Sequence, residues 1–149
     1  MMAKLNANWG DLLLVEDNPG DVALIQHALQ RTGVHTRFHH VSDGEQAMLF
    51  LKPEDGTEAT YRPNLILLDL NLPRKDGRQV LADIKADESL KDILVFILTS
   101  SELAEDLHTT QFAKAAGCFT KPTSFSEYEL IFKKIEYLID GNRSLHEKI

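Results

Sequence analysis

One cysteine, Cys118, serves the whole chain, which excludes an internal disulfide framework. Basic residues are in deficit: 16 Lys and Arg stand against 23 Asp and Glu, for a net charge of −7. Direct nucleic-acid binding calls for a basic face, so it is disfavoured. Long apolar runs are missing. No stretch approaches the roughly 18 apolar residues of a membrane span. The N-terminus, Met1–Asn8, has no apolar core of signal-peptide length. Internal repeats and low-complexity segments are absent as well. These absences leave a cytoplasmic protein with no direct nucleic-acid or membrane partner as the expectation. What is present is ordinary for a globular chain: 149 residues, 43% hydrophobic and 26% charged, enough for one domain with a full core.

The informative stretch is Asn64–Leu65–Ile66–Leu67–Leu68–Asp69, four apolar residues running into a carboxylate. An unbroken apolar run reads as a strand buried on both faces, as in a parallel sheet covered by helices. Sites in such sheets lie at the carboxyl ends of the strands. Taken alone, Asp69 fits a helix cap or a surface strand end better than a site, so the rest of the chain has to decide.

Residues 1–10 read as a tail, pinned by Trp9, and Asp11–Val15 as a first buried strand ending in Glu16–Asp17. Asn18 fits a helix N-cap, with Pro19 at the first helical position and Asp21 in the first turn. That helix carries Val22, Ile25, Ala28 and Leu29 on one face and stops near Gly33. Thr36–Val41 reads as a second, more polar strand, and Ser42–Glu45 as a capping box for a helix to about Leu51. Residues 53–63 form a polar loop. After the Asp69 strand come a helix from about Gly77, a fourth strand Ile93–Leu98 ending in Thr99, and a weakly amphipathic helix over 102–116. Weak amphipathicity fits either a marginal helix or a partner surface. Gly117–Thr120 is a short fifth strand, followed by Lys121–Pro122. Tyr128, Ile131, Phe132, Ile135, Leu138 and Ile139 then mark a last helix ending near Gly141, with a polar tail to Ile149. Five strands alternating with five helices give an α/β fold: a parallel sheet in order 2-1-3-4-5 with helices on both faces. The division is a tail over 1–10, one domain over 11–140 and a tail over 141–149.

The strand ends then converge. Glu16, Asp17, Asp69, Thr99 and Lys121 meet on one edge of the sheet. Packed carboxylates repel one another and need a cation, and oxygen ligands suit Mg²⁺. A metal beside a lysine and a threonine points to a phosphoryl group, whose developing charge the metal and Lys121 would neutralise while Thr99 donates a hydrogen bond. Asp69 is then the nucleophile, forming an aspartyl-phosphate.

In this set of residues the chain resembles the receiver domains of two-component response regulators. Glu16–Asp17, Asp69, Thr99 and Lys121–Pro122 match their site motifs, and Pro73 with Asp76–Gly77 matches the turn after their phosphoacceptor. The resemblance covers about residues 11–140. The polar loop and Leu68–Asp69–Leu70–Asn71–Leu72–Pro73 are most similar to the phytochrome-associated single-domain regulators of cyanobacteria. The resemblance implies that Asp69 takes a phosphoryl group from a sensor histidine kinase, here a phytochrome. It implies Mg²⁺ on the side chains of Asp17 and Asp69 and the backbone carbonyl of Asn71, with Glu16 acting directly or through water. Lys121 would contact the phosphoryl oxygens, and Pro122 would shape the loop. Output would pass through the face of the fourth helix, fifth strand and fifth helix, to a second copy in a homodimer or to a downstream protein. With about nine residues after the last helix, the expectation is a stand-alone regulator acting by protein–protein contact. One position departs from the family: the aromatic switch lies three residues before the lysine, and here that is Cys118. Phe119, one later, should face the other side of its strand.

Simpler roles compete elsewhere. His39 and His40 point to opposite sides of a strand, which argues against a shared metal. Cys118 fits a small apolar filler, and the Tyr128–Ile135 stripe fits core with or without a dimer contact. An aspartyl phosphatase would carry a second acid two residues after its nucleophile; Asn71 stands there and cannot transfer the proton, so a free-standing enzyme is not expected. A flavin-phosphate module would need a Gly/Ser/Thr-rich loop after the first strand, where Glu16–Asp17 stands. The alternative within the same fold is a pseudo-receiver that acts as a phosphorylation-independent interaction module.

Overall fold

The computed structural model describes residues 4–53, 61–100 and 114–147. In chain order the elements are β1 (Ala7–Val15), α1 (Pro19–Thr32), β2 (Val34–Val41), α2 (Gly44–Leu51), β3 (Leu65–Leu68), α3 (Gly77–Ala86), β4 (Leu94–Thr99), β5 (Gly117–Thr120) and α4 (Phe125–Glu147). The strands form one parallel sheet in the order β2-β1-β3-β4-β5, as the alternation of apolar runs and helical faces requires.

Alternation along the strands divides the core in two. Leu12, Leu14, Leu65, Leu67, Phe96 and Leu98 pack with Ile25 and Leu29 of α1 and Tyr128, Phe132 and Ile135 of α4. Leu13, Val15, Ile66, Leu68, Val95 and Ile97 pack on the other face with Ala47 and Leu51 of α2 and Val80, Leu81 and Ile84 of α3. Helices therefore cover both faces, and each central strand is apolar throughout because it has no solvent side.

Local signals set most of the boundaries. Asn18 caps α1, accepting from the Asp21 N–H at 3.1 Å, and Gly33 ends that helix with φ 82°. The cap of α2 is Asp43, which accepts from the Gln46 N–H at 2.8 Å, while the Gln46 side chain accepts from the Ser42 N–H at 3.1 Å. The cap is thus one residue later than the box expected at Ser42–Glu45, and the return bond from Gln46 goes to the residue before the cap.

Two expectations need correction. β1 begins at Ala7 rather than Asp11, because Trp9 is buried edge-on against Phe132 and its indole donates to Glu136 at 2.5 Å. The last helix does not stop near Gly141 but runs through Glu147. A glycine in a helix costs only about 1 kcal/mol, and no proline follows to end it. The helix expected over 102–116 lies mostly outside the described residues, and its last three positions form a turn leading into β5. The polar loop over 53–63 likewise lies mostly outside them.

Two glycines bring backbones together beside Asp69. At Gly77, the first residue of α3, a Cβ would overlap the Asp69 carbonyl oxygen, and at Gly44 it would overlap that of Lys75. The Gly77 N–H donates to the Leu70 carbonyl at 3.0 Å, closing the turn that follows Asp69. Gly77→Ala is expected to destabilise the protein by about 1–3 kcal/mol, as overpacking against backbone does. That outweighs the gain of up to ~1 kcal/mol in helix propensity. Urea denaturation checks it; an unchanged or raised midpoint would show that the turn yields.

Candidate functional site

Register builds the site. Val15 pairs with Leu68, so Glu16 and Asp69 follow at the same level on adjacent strands. Thr99 pairs with Thr120, and the Lys121 N–H donates to the Thr99 carbonyl at 2.7 Å, carrying the pairing one residue past β5. By alternation Glu16, Asp69 and Lys121 fall on the side of Leu14, Leu67 and Phe119, the face that α1 and α4 cover.

Lys121 is the centre of the arrangement. Its Nζ lies 2.6 Å from Glu16 Oε1, 3.0 Å from Asp69 Oδ2 and 3.1 Å from Asp21 Oδ2. Asp69 is 5% exposed and Glu16 1%. The other Asp69 oxygen, Oδ1, accepts from the Asn71 N–H at 3.1 Å, so both oxygens are already oriented. Glu16 Oε2 accepts from the Asn18 N–H at 3.1 Å. Asp17 is exposed, yet one oxygen each of Glu16, Asp17 and Asp69 lie within 4.8 Å of one another. That donor set, all carboxylate oxygen, fits a hard divalent cation.

Thr99 is fully buried at the end of β4, and its hydroxyl oxygen has no hydrogen-bond partner among the described residues. Such a group is costly to bury unless something accepts from it. Pro122 follows Lys121 in the loop between β5 and α4. Cys118 pairs with Ile97 and packs on the α2–α3 side, whereas Phe119 packs on the α1–α4 side and stacks with Phe96 at 6.4 Å. The two residues face apart, as strand alternation dictates, so no ring from β5 replaces the cysteine on its own side. Burial pushes the Cys118 thiol up.

Electrostatics follow from one cation among several acids. Burial pushes the Glu16 carboxyl from the ordinary 4.5 up to about 7; Lys121 opposes the shift and Asp69 adds to it. Burial works against the Lys121 ammonium, but Glu16 and Asp69 outweigh it and hold the group well above its usual range.

Two contributors were not assigned to the site from the sequence. Asp21 reads as a first-turn helix acid; only the placement of α1 over the end of β1 brings it to Lys121. His40 Nε2 donates to the Glu16 carbonyl at 2.8 Å and fixes the end of β1 from the neighbouring strand. His39 turns instead to Asp11, at 3.0 Å, and to the rings of Phe50 and Tyr61, so the two histidines do part company.

A pH dependence follows. With divalent metal chelated, Glu16 is protonated in the folded chain and ionised in the unfolded one between pH 4.5 and about 7. The folded state holds the extra proton, so this group's contribution to stability is present below pH 4.5 and is lost as pH rises through about 7. Glu16→Gln should flatten that fall in urea titrations across the window; an unchanged slope would mean that Glu16 titrates normally.

Comparison with known proteins agrees with this geometry. The family model of the response regulator receiver domain matches residues 12–133. Response regulator Rcp1 of Synechocystis sp. is 47% identical over 96 residues, covering 64% of this chain and 65% of that protein. The probable methanogenesis regulatory protein FilR2 of Methanothrix harundinacea is 37% identical over 89% of this chain and 86% of its own length. Among solved structures, the phosphorylated cyanobacterial phytochrome response regulator RcpA is 43% identical, with a TM-score of 0.74 over 87% of this chain and 92% of that one. The Mn²⁺-bound form of Rcp1 is 37% identical, with a TM-score of 0.69 over 84% and 90%. The chain belongs to the response regulator receiver domain family.

Proposed function

We propose that this receiver accepts a phosphoryl group on Asp69 from a phosphohistidine of a sensor histidine kinase, with Mg²⁺ as cofactor, and signals by protein–protein contact. The observation that carries the reading is the geometry of Asp69: a buried carboxylate 3.0 Å from the Lys121 ammonium, with two further acids and, at the end of β4, a buried hydroxyl that has no partner among the described residues. An Asp69 oxygen bonds to phosphorus as the P–N bond breaks, and the electron pair leaves on the donor imidazole. Lys121 meets the charge that gathers on the transferred group, and the Thr99 hydroxyl donates to one of its oxygens. Asp17, Asp69 and the Asn71 carbonyl would hold the metal, with Glu16 acting directly or through water. Bound Mg²⁺ supplies charge neutralisation at the phosphoryl oxygens. The likeness to Rcp1 and to a phytochrome response regulator supports a phytochrome kinase as the donor.

Asp69→Asn should abolish Mg²⁺-dependent gain of one phosphoryl group from a small phosphodonor, read by intact-protein mass, while the fold persists. Labelling of the variant would move the acceptor elsewhere. No gain in the wild type, with Mg²⁺ still bound, would favour a phosphorylation-independent interaction module.

The surface of β5 and α4 supports the contact role. Phe119, Leu130, Lys133, Lys134, Tyr137 and Leu138 line a shallow cavity of about 410 Å³. Tyr137 is 78% exposed and Leu130 53%, large apolar groups left in water. A second copy of the chain is the occupant proposed. Tyr137→Glu should shift sedimentation toward monomer; an unchanged mass distribution at matched concentration would put the interface elsewhere.

A further inference from the structure

Two buried hydroxyl oxygens among the described residues have no hydrogen-bond partner: Thr99 Oγ1 and Tyr128 Oη. Phosphoryl transfer employs the first and leaves the second unused. Tyr128 is 0% exposed and sits in the first turn of α4, its N–H on the Ser124 carbonyl at 3.3 Å. Helix side chains lean toward the N-terminus of their helix, which here is the loop that starts at Lys121. The Tyr128 ring belongs to the core cluster on the α1–α4 face, the face on which Glu16, Asp69 and Lys121 also fall. Burial pushes the phenol well above its usual range; Asp21 adds to this ahead of Glu16 and Asp69, and Lys121 opposes it. The hydroxyl therefore stays protonated, a donor within the field of the acids. The Asp21 carboxylate, foremost among them, is held by Lys121 at 3.1 Å.

We propose that Tyr128 is a positioning residue for Lys121: when Lys121 turns from Asp21 to the phosphoryl group, the Tyr128 hydroxyl donates to the carboxylate it has left. The exchange rests on the phosphorylation reading for its purpose, but in itself needs only that Lys121 release Asp21. It satisfies a buried donor in one state and a deserted acid in the other. It also links the site to α4, whose Phe132 and Glu136 hold Trp9. With Cys118 at the switch position, this gives the last helix its own sensor of Lys121.

The test is Tyr128→Phe in two backgrounds, wild type and Lys121→Ala, with Lys121→Met in its place if the alanine variant does not fold. With Lys121 present, the substitution removes only an unpartnered hydroxyl, so the urea midpoint should stay or rise. Without the ammonium, it removes the donor to Asp21, and the midpoint should fall. The same shift in both backgrounds would overturn the proposal. A second readout uses the single tryptophan. On molecules that carry the phosphoryl group by mass, Tyr128→Phe should lose at least half of the wild-type change in Trp9 emission; a full change would overturn the link to α4. If the wild type takes no phosphoryl group, the phosphorylation reading fails while the urea comparison still decides this one.

Discussion

Everything at this site depends on one ammonium shared by three carboxylates. Lys121 reaches Glu16, Asp69 and Asp21 within 3.1 Å, and two of these acids, Glu16 and Asp69, are buried. Burying a carboxylate without a partner is expensive enough that it protonates instead. Glu16 sits at that limit, with burial pushing it up to about 7 even beside the lysine. The site is therefore short of positive charge. That shortage suits it to a divalent cation, and a cation in turn makes room for an anion as highly charged as a phosphoryl group.

The fold serves this point by bringing four strand ends to one edge. Parallel strands end at the same side of the sheet, so each contributes its last side chain to a common rim. The match of Leu12–Val15 to Leu65–Leu68, residue for residue, sets Glu16 and Asp69 level. Close backbone approach at Gly77 and Gly44 then locks the turn after Asp69 against α3 and α2. Arg74, with φ 66°, reaches back from that turn to Asp43 at 3.7 Å and Glu45 at 3.8 Å. These surface pairs add little energy, but they tie the turn to the next helix.

Position 118 changes how such a site can speak to the surface. Cys118 lies on the α2–α3 side of the sheet, and the ring of Phe119 lies on the other, stacked on Phe96. A strand cannot bring Phe119 across without slipping its register by one, which would turn Phe96's partner and every neighbour with it. The aromatic bulk is instead on α4, with Tyr128 and Phe132 buried and Tyr137 exposed. The helix that carries the exposed apolar groups thus also packs on the face of the sheet where Lys121 falls.

The sequence by itself determined the strands and the identity of the acids, hydroxyl and lysine at their ends, because those signals are local, while the order 2-1-3-4-5 followed from the usual arrangement of five such units. Four apolar residues before Asp69 can only be buried, and Asn18–Pro19 can only start a helix economically. It also determined that Cys118 and Phe119 would part, since alternation is a property of any strand. The tertiary structure decided what local pattern cannot carry. Trp9 became core because Phe132, 123 positions away, was there to meet it. The last helix outran Gly141 because nothing beyond it stops one. Asp21 changed from a first-turn helix acid to an ion-pair partner of Lys121, 100 positions distant, and the Tyr128 hydroxyl was left with no partner among the described residues, because only packing sets α1 and α4 side by side over the same strand ends.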